Sequence, residues 1–318
     1  MADKSRVAPE LRDALDLFPD FTFGEDMTPY RTAFKDRPQP PLSTALAAVP
    51  CREVRIPGAP GDPEVRILHY SAPGETRTKR PALLHIHGGG YVIGDPELND
   101  AMNRAAALTH GCEVVSVDYR LAPETRHPGA LHDNYAAFQW LHAHADALAI
   151  DPARVVLAGE SAGGGHAVAL ALHIRDRAAA GASEPPPCLV LLDSPMLDDR
   201  SLSHPACGAF VWTPEKNRFG WRALLGVEPG GDAVPAGAVP ARAESVAGLP
   251  PHFLTVGALD LFLDECLEWT RRLAREGIAV ELHVIPGAYH GFAMVPGSPQ
   301  VEALTRYRDA ALARAFAG

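Results

Sequence analysis

Apolar and polar positions along this chain keep switching between two rhythms. Compact apolar runs alternate with longer stretches whose apolar residues recur at helical spacing. The run Val155-Val156-Leu157-Ala158 reads as a buried strand, and residues 165–180 after it, with Ala167, Val168, Leu170, Ala171 and Leu172, read as a helix packed on a sheet. The same alternation predicts strands at 52–56, 64–70, 82–87, 113–117, 188–192, 252–256 and 279–285. It predicts helices at 97–109, 131–148, 264–276 and 299–316. Val65 and Ile67 alternate with polar neighbours, as in a half-buried antiparallel edge. Strand–helix repetition of this kind builds one mostly parallel α/β sheet of eight strands with helices on both faces.

The rhythm lapses twice. Residues 1–50 carry helically spaced Leu11, Leu15 and Phe18, a less clear segment at 27–34, and then the breaker Pro38-Gln39-Pro40-Pro41; they read as a helical arm outside the sheet. From 198 to 225 the alternation stops and Phe210, Trp212, Phe219 and Trp221 cluster in an aromatic insertion. Residues 228–251, rich in Gly, Pro and Ala, read as irregular connection. The expected organisation is an arm at 1–50 and a large domain at 51–318 with an insertion at about 198–225.

Charge narrows the partners. The chain has 29 Lys and Arg against 39 Asp and Glu, net −10, and no basic run, so nucleic acid and anionic membrane surfaces are poor partners. No apolar run reaches the length of a signal peptide or a membrane span. The five cysteines are far apart and form no C-x-x-C, which predicts reduced thiols and a cytoplasmic protein.

Between the strand at 155–158 and its helix lies Gly159-Glu160-Ser161-Ala162-Gly163, a G-x-S-x-G turn. Such a turn lifts the serine hydroxyl above the sheet beside a helix N-terminus. Alone it is equally read as close packing without chemistry. A serine nucleophile needs a base, and the base needs a carboxylate on its other nitrogen. Asp260 follows the strand at 252–256, and His290 follows the strand at 279–285 in a loop flanked by Gly287 and Gly291. Asp264 and Glu265 rival Asp260 but read as the first turn of a helix, where carboxylates satisfy free N–H groups. His142 and His144 read as solvated helix positions, and His283 as a strand residue. An oxyanion needs preorganised donors: the Ala162 N–H, and a second source in His87-Gly-Gly-Gly-Tyr91, whose glycines let the backbone turn its amides inward. His85 and His87 have no apparent third ligand, so no metal is expected.

Together, His87-Gly-Gly-Gly90, Asp118-Tyr-Arg-Leu-Ala-Pro-Glu124, Gly159-Glu-Ser-Ala-Gly-Gly164, Asp260 and Tyr289-His290-Gly291-Phe292 resemble the hormone-sensitive-lipase family of esterases (bacterial family IV), from about residue 50 to the C-terminus. The resemblance implies an α/β-hydrolase fold with a helical cap, formed by the arm and the insertion, and a cofactor-free serine carboxylesterase acting on short- to medium-chain acyl esters. It implies Ser161 as nucleophile, His290 as base then acid, Asp260 as orienting carboxylate, and Gly89, Gly90 and Ala162 as amide donors, with Gly88 replacing one of them if the loop is rotated. It makes residues 118–124 a buttress of the oxyanion loop. Two departures are mild: Asp260-Leu-Phe where relatives often have Asp-Pro-Leu, and Glu160 where Asp is common. Tyr91, Trp212 and Trp221 are candidates for the substrate pocket; the aromatics of the insertion serve equally as its own core. The partner is then a small-molecule ester, without stable membrane association, and an exposed edge at 279–285 permits a homodimer. Amide or carbamate hydrolysis on the same triad, and a receptor on the same fold, are the alternatives.

Overall fold

The computed structural model describes residues 3–18, 22–39, 41–74, 78–201, 204 and 206–317. Eight strands form one sheet: β1 (Cys51–Ile56), β2 (Val65–Tyr70), β3 (Arg80–Ile86), β4 (Glu113–Asp118), β5 (Ile150–Glu160), β6 (Leu189–Asp193), β7 (His252–Gly257) and β8 (Val280–Ile285). Their order is β1-β2-β4-β3-β5-β6-β7-β8. The first two pairings are antiparallel and the remaining five parallel. The chain has an α/β-hydrolase fold, as its sequence rhythm and motifs lead one to expect.

Nine α-helices surround the sheet among the described residues: α1 (Pro9–Arg12), α2 (Thr28–Lys35), α3 (Thr44–Ala47), α4 (Asp100–His110), α5 (Gly129–Ala143), α6 (Ala162–Ala179), α7 (Pro214–Leu225), α8 (Leu263–Arg275) and α9 (Pro299–Ala317). Successive strand residues point to opposite faces, and the central strands are apolar on both. Val155 and Leu157 join the core formed with α5, α6 and α8. Val156 and Ala158 join Ala107 of α4 and Ala311, Leu312 and Phe316 of α9 on the other face. This two-sided burial explains why β5 reads as a continuous apolar run rather than an alternating one.

Departures from the expected elements have local causes. The helix expected over 131–148 ends at Ala143. The chain then reverses, with Ile150 N–H on Ala145 O, and Ala149 O accepts the Arg80 N–H that begins the β3 pairing. Ala149 has φ 53°, outside any helix. β5 accordingly starts at Ile150, ahead of its apolar run. The arm's first helix shortens to α1 and tightens into a 3₁₀ turn over Asp13–Leu17. Residues 198–225 contain a full helix, α7. Its Thr213 hydroxyl accepts the Lys216 N–H, Pro214 opens it, and Gly226 ends it in the left-handed region. Pro40, in the breaker after the arm, lies outside the described residues. His142 is not solvated: both ring nitrogens are buried with no partner among the described residues, and the ring meets Phe138 edge-on at 4.4 Å. His144 is exposed and stacks on Trp140.

Burial pushes the His166 imidazole down to about 3 and those of His87 and His252 to about 4. All three stay neutral in the folded protein at pH 5. The unfolded chain protonates them near their ordinary pKa of about 6.5. Stability is therefore intact above pH 6.5 and falls as the pH drops toward 4, because the unfolded state binds more protons there. His252 lies in β7 with its Nδ1–H on Pro250 O. The unfolding free energy of His252→Gln, measured by urea titration at pH 7 and pH 5, should fall less over that interval than that of the wild type. An equal fall in both proteins would contradict the assignment.

Candidate active site

Ser161 sits on the turn from β5 into α6 with φ 53° and ψ −122°, a conformation L-residues avoid. Three backbone bonds hold it there. Its N–H donates to Asp193 O at 2.9 Å, and its own carbonyl accepts from Met196 N–H at 2.9 Å and Gly165 N–H at 3.1 Å. The flanking glycines are required by space. A Cβ at Gly163 would stand 2.0 Å from Ile86 O, and one at Gly159 would stand 2.4 Å from Gly163 O. The turn is thus this tight only because Gly159 and Gly163 lack side chains.

Two loops bring the other groups to it. Asp260 follows β7 and is fully buried; one carboxylate oxygen, Oδ1, accepts the Phe262 N–H at 3.0 Å. His290 follows β8. Its Nδ1 lies 2.8 Å from Asp260 Oδ2, and its Nε2 lies 3.0 Å from Ser161 Oγ. The imidazole is packed edge-on by Phe262 at 5.0 Å and faced by Trp212 at 6.0 Å. Of the rival carboxylates, Asp264 is an exposed first-turn residue of α8. Glu265 is buried and accepts the Leu197 N–H at 2.7 Å rather than an N–H of its own helix, and burial raises its carboxyl well above the usual range.

The glycine strap after β3 runs alongside. Gly89 has φ 124° and Gly90 φ 59°. The carbonyls of residues 87–89 are each taken up by a partner. The His87 carbonyl accepts Tyr119 Oη–H at 2.9 Å, the Gly88 carbonyl accepts His87 Nδ1–H at 2.8 Å, and the Gly89 carbonyl accepts the N–H groups of Val92 and Ile93. Each peptide is planar and trans, so a carbonyl held outward leaves the next N–H pointing the other way. The Gly89 and Gly90 N–H groups have no acceptor among the described residues. Ala162 contributes the first N–H of α6, which lies in the turn of a helix where donors go unpaired.

The aromatic candidates separate. Trp212 lies over the strap: a Cβ at Gly90 would stand 2.1 Å from its indole. Its Nε1–H is locked on Asn217 Oδ1 at 3.1 Å, and Asn217 in turn donates to Ser201 O. Phe23 of the arm meets Trp212 at 6.2 Å and stacks on Phe219 at 5.0 Å. Tyr91 and Trp221 form a layer beneath, their rings 5.1 Å apart, with the Tyr91 hydroxyl on Met196 O. Asn217 and Phe23 escaped sequence reasoning; the Thr213-Pro214 pair, a helix-opening signal, pointed toward Asn217. Glu160 bonds His85 Nε2 at 2.9 Å and ties β5 to β3 beneath the turn; burial pushes its carboxyl up, but the contact with His85 and the Arg308 guanidinium keep it low.

A cavity of about 440 Å³ lies between α5 and α6, against Leu131, Leu172, His173 and Pro235, and touches none of Ser161, Asp260 and His290. A smaller one, about 210 Å³, is lined by Leu15, Phe18, Phe210, Val211 and Lys216. Phe18 and Val211 also flank Gly291, the residue after His290. No helix among the described residues is long and apolar enough to cross a membrane.

Sheet, turn, strap and loops define an α/β hydrolase, and the sequence profile described as α/β-hydrolase fold matches residues 83–294. Esterase LipI of Mycobacterium tuberculosis is 32% identical over 293 residues, 91% of this chain and 89% of that one. Carboxylesterase NlhH of the same species is 32% identical over 295 residues, 90% of this chain and 88% of its own. Among solved structures, a bacterial heroin esterase superposes with a TM-score of 0.88 at 35% identity, covering 98% of both chains. Esterase LipW from Mycobacterium marinum follows with 0.85 at 33%, covering 98% of this chain and 97% of its own. The chain belongs to the hormone-sensitive-lipase family of carboxylic ester hydrolases.

The packing at the turn is testable. Gly163→Ala should lower the urea midpoint of unfolding, corresponding to a loss of about 1–3 kcal/mol or more, because backbone atoms cannot yield to the new methyl. Gly231→Ala, whose Cβ would meet nothing nearer than 3.9 Å, should be close to neutral. Equal midpoints for the two variants would refute the steric account.

Proposed function

We propose that the protein is a serine carboxylesterase that hydrolyses short- to medium-chain acyl esters through an acyl-enzyme. The observation that carries this reading is the unbroken hydrogen-bonded line Ser161 Oγ, His290 Nε2, His290 Nδ1, Asp260 Oδ2, at 3.0 and 2.8 Å. In this reading Ser161 attacks the ester carbonyl while His290 takes its proton, and the buried Asp260 carboxylate stabilises the imidazolium. The oxyanion is held by the N–H groups of Gly89, Gly90 and Ala162, donors oriented before the reaction. His290 returns the proton to the leaving alcohol, and water repeats the sequence on the acyl group.

The arm at 1–50 and the segment 198–225 act as the cap, with Trp212 as a wall of the pocket. The contact of Phe23 with Trp212 and Phe219 supports that role. Five free cysteines, with no disulfide among them, agree with a reducing compartment such as the cytoplasm.

Hydrolysis of p-nitrophenyl esters from acetate to palmitate tests the proposal. Activity should peak at short or medium chains, and Ser161→Ala should lower kcat by about 10⁴-fold or more. More than a trace of activity in that variant would overturn the assignment of the nucleophile, and a maximum at palmitate would overturn the chain-length preference.

A further inference from the structure

We propose that Arg31, on α2 of the arm, is a positioning residue for the oxyanion site: its guanidinium anchors and polarises a chain of two peptide groups that ends in the Gly90 N–H. The inference rests on the esterase reading of the site. Arg31 Nε donates to Val92 O at 2.9 Å, and its Nη2 donates to Ala122 O at 2.8 Å. Val92 is fully buried, so its carbonyl has no competing water. The peptide that offers Val92 C=O to Arg31 carries the Ile93 N–H on its opposite side. That N–H donates to Gly89 O at 3.0 Å. The peptide that offers Gly89 C=O carries, again on its opposite side, the Gly90 N–H.

The guanidinium is therefore two peptide groups away from an oxyanion donor, through an unbroken line of hydrogen bonds. Such chains polarise one another, and a cation donating at one end strengthens the donor at the other. A second branch fixes the same strap: Ala122 N–H donates to Tyr91 O at 3.0 Å, while the Ala122 carbonyl is held by Arg31. Glu124 grips the guanidinium from the solvent side at 2.7 and 3.0 Å, and that contact lowers its carboxyl below the usual range. The planar fork reaches two carbonyls and one carboxylate at once, which a lysine ammonium does not reproduce. The arm thereby sets the geometry of a strap whose own sequence is flexible glycine.

Arg31→Met keeps the apolar stem and removes the donors. On a p-nitrophenyl ester its kcat should fall by about 10- to 100-fold, as for a displaced or weakened oxyanion donor, with KM changing less than about threefold. Arg31→Lys should recover only part of kcat. Amide hydrogen exchange of residues 88–93 should speed up in Arg31→Met while the rest of the sheet is unchanged. A folded Arg31→Met with wild-type kcat, a loss confined to KM, or unaltered exchange at 88–93 would each overturn the proposal. Exchange also separates the two readings. If the wild type turned over no ester, the esterase reading would fail, and exchange at 88–93 would still support or overturn the role of Arg31.

Discussion

The site depends on one backbone conformation, that of Ser161 at φ 53° and ψ −122°. A serine gains nothing from it; a non-glycine residue there costs roughly 1–3 kcal/mol. The surrounding bonds to Asp193, Met196 and Gly165 over-determine it. Asp193 itself is fixed by the Thr255 hydroxyl at 2.5 Å and by Arg308 of α9 at 2.9 Å. Three parallel strands and the last helix thus converge on one peptide. Their contribution is geometric: the hydroxyl is held off the end of the sheet, within reach of the imidazole and beside the first free amide of α6.

Around that point the structure solves a problem of direction. A donor pair is useful only if its carbonyls are satisfied elsewhere, and a buried carbonyl left unpaired is costly. The strap meets this by sending the carbonyls of His87, Gly88, Gly89, Tyr91 and Val92 to Tyr119, the ring of His87, the turn at Val92–Ile93, Ala122 and Arg31 respectively. Those partners come from β4's following loop, the strap itself and the arm. Trp212 closes the outer side over Gly90, and α7 approaches so tightly that a Cβ on Gly220 would lie 2.5 Å from Gly90 O. Arm, strap and α7 therefore form one packed unit rather than a loose cover over a finished site.

Much of this was legible in the chain. The strand–helix rhythm yielded the eight-stranded sheet because strands buried on both faces must be apolar throughout. Ser161, Asp260 and His290 stood out because each follows a strand in a loop that glycine or a helix start leaves free to aim. What stayed hidden depends on contacts between distant positions. Arg31 touches Val92 across 61 residues, and nothing at position 31 alone signals it. Residues 198–225 read as an aromatic insertion, within which Thr213-Pro214 is a local sign of α7. Trp212 and Trp221 looked equivalent in sequence, and Tyr91 leaned toward the pocket; packing puts Trp212 against His290 and buries Tyr91 and Trp221 below. His142 read as a solvated helix position, but burial is set by what packs from elsewhere, not by the local string.

The most direct test of the central claim, an armed serine at that strained turn, is reaction with an organophosphate followed by peptide mapping. A single phosphyl adduct on Ser161, formed stoichiometrically and greatly slowed in His290→Asn, is the predicted result. No adduct in folded protein, an adduct on another residue, or an unchanged rate without the imidazole would contradict it.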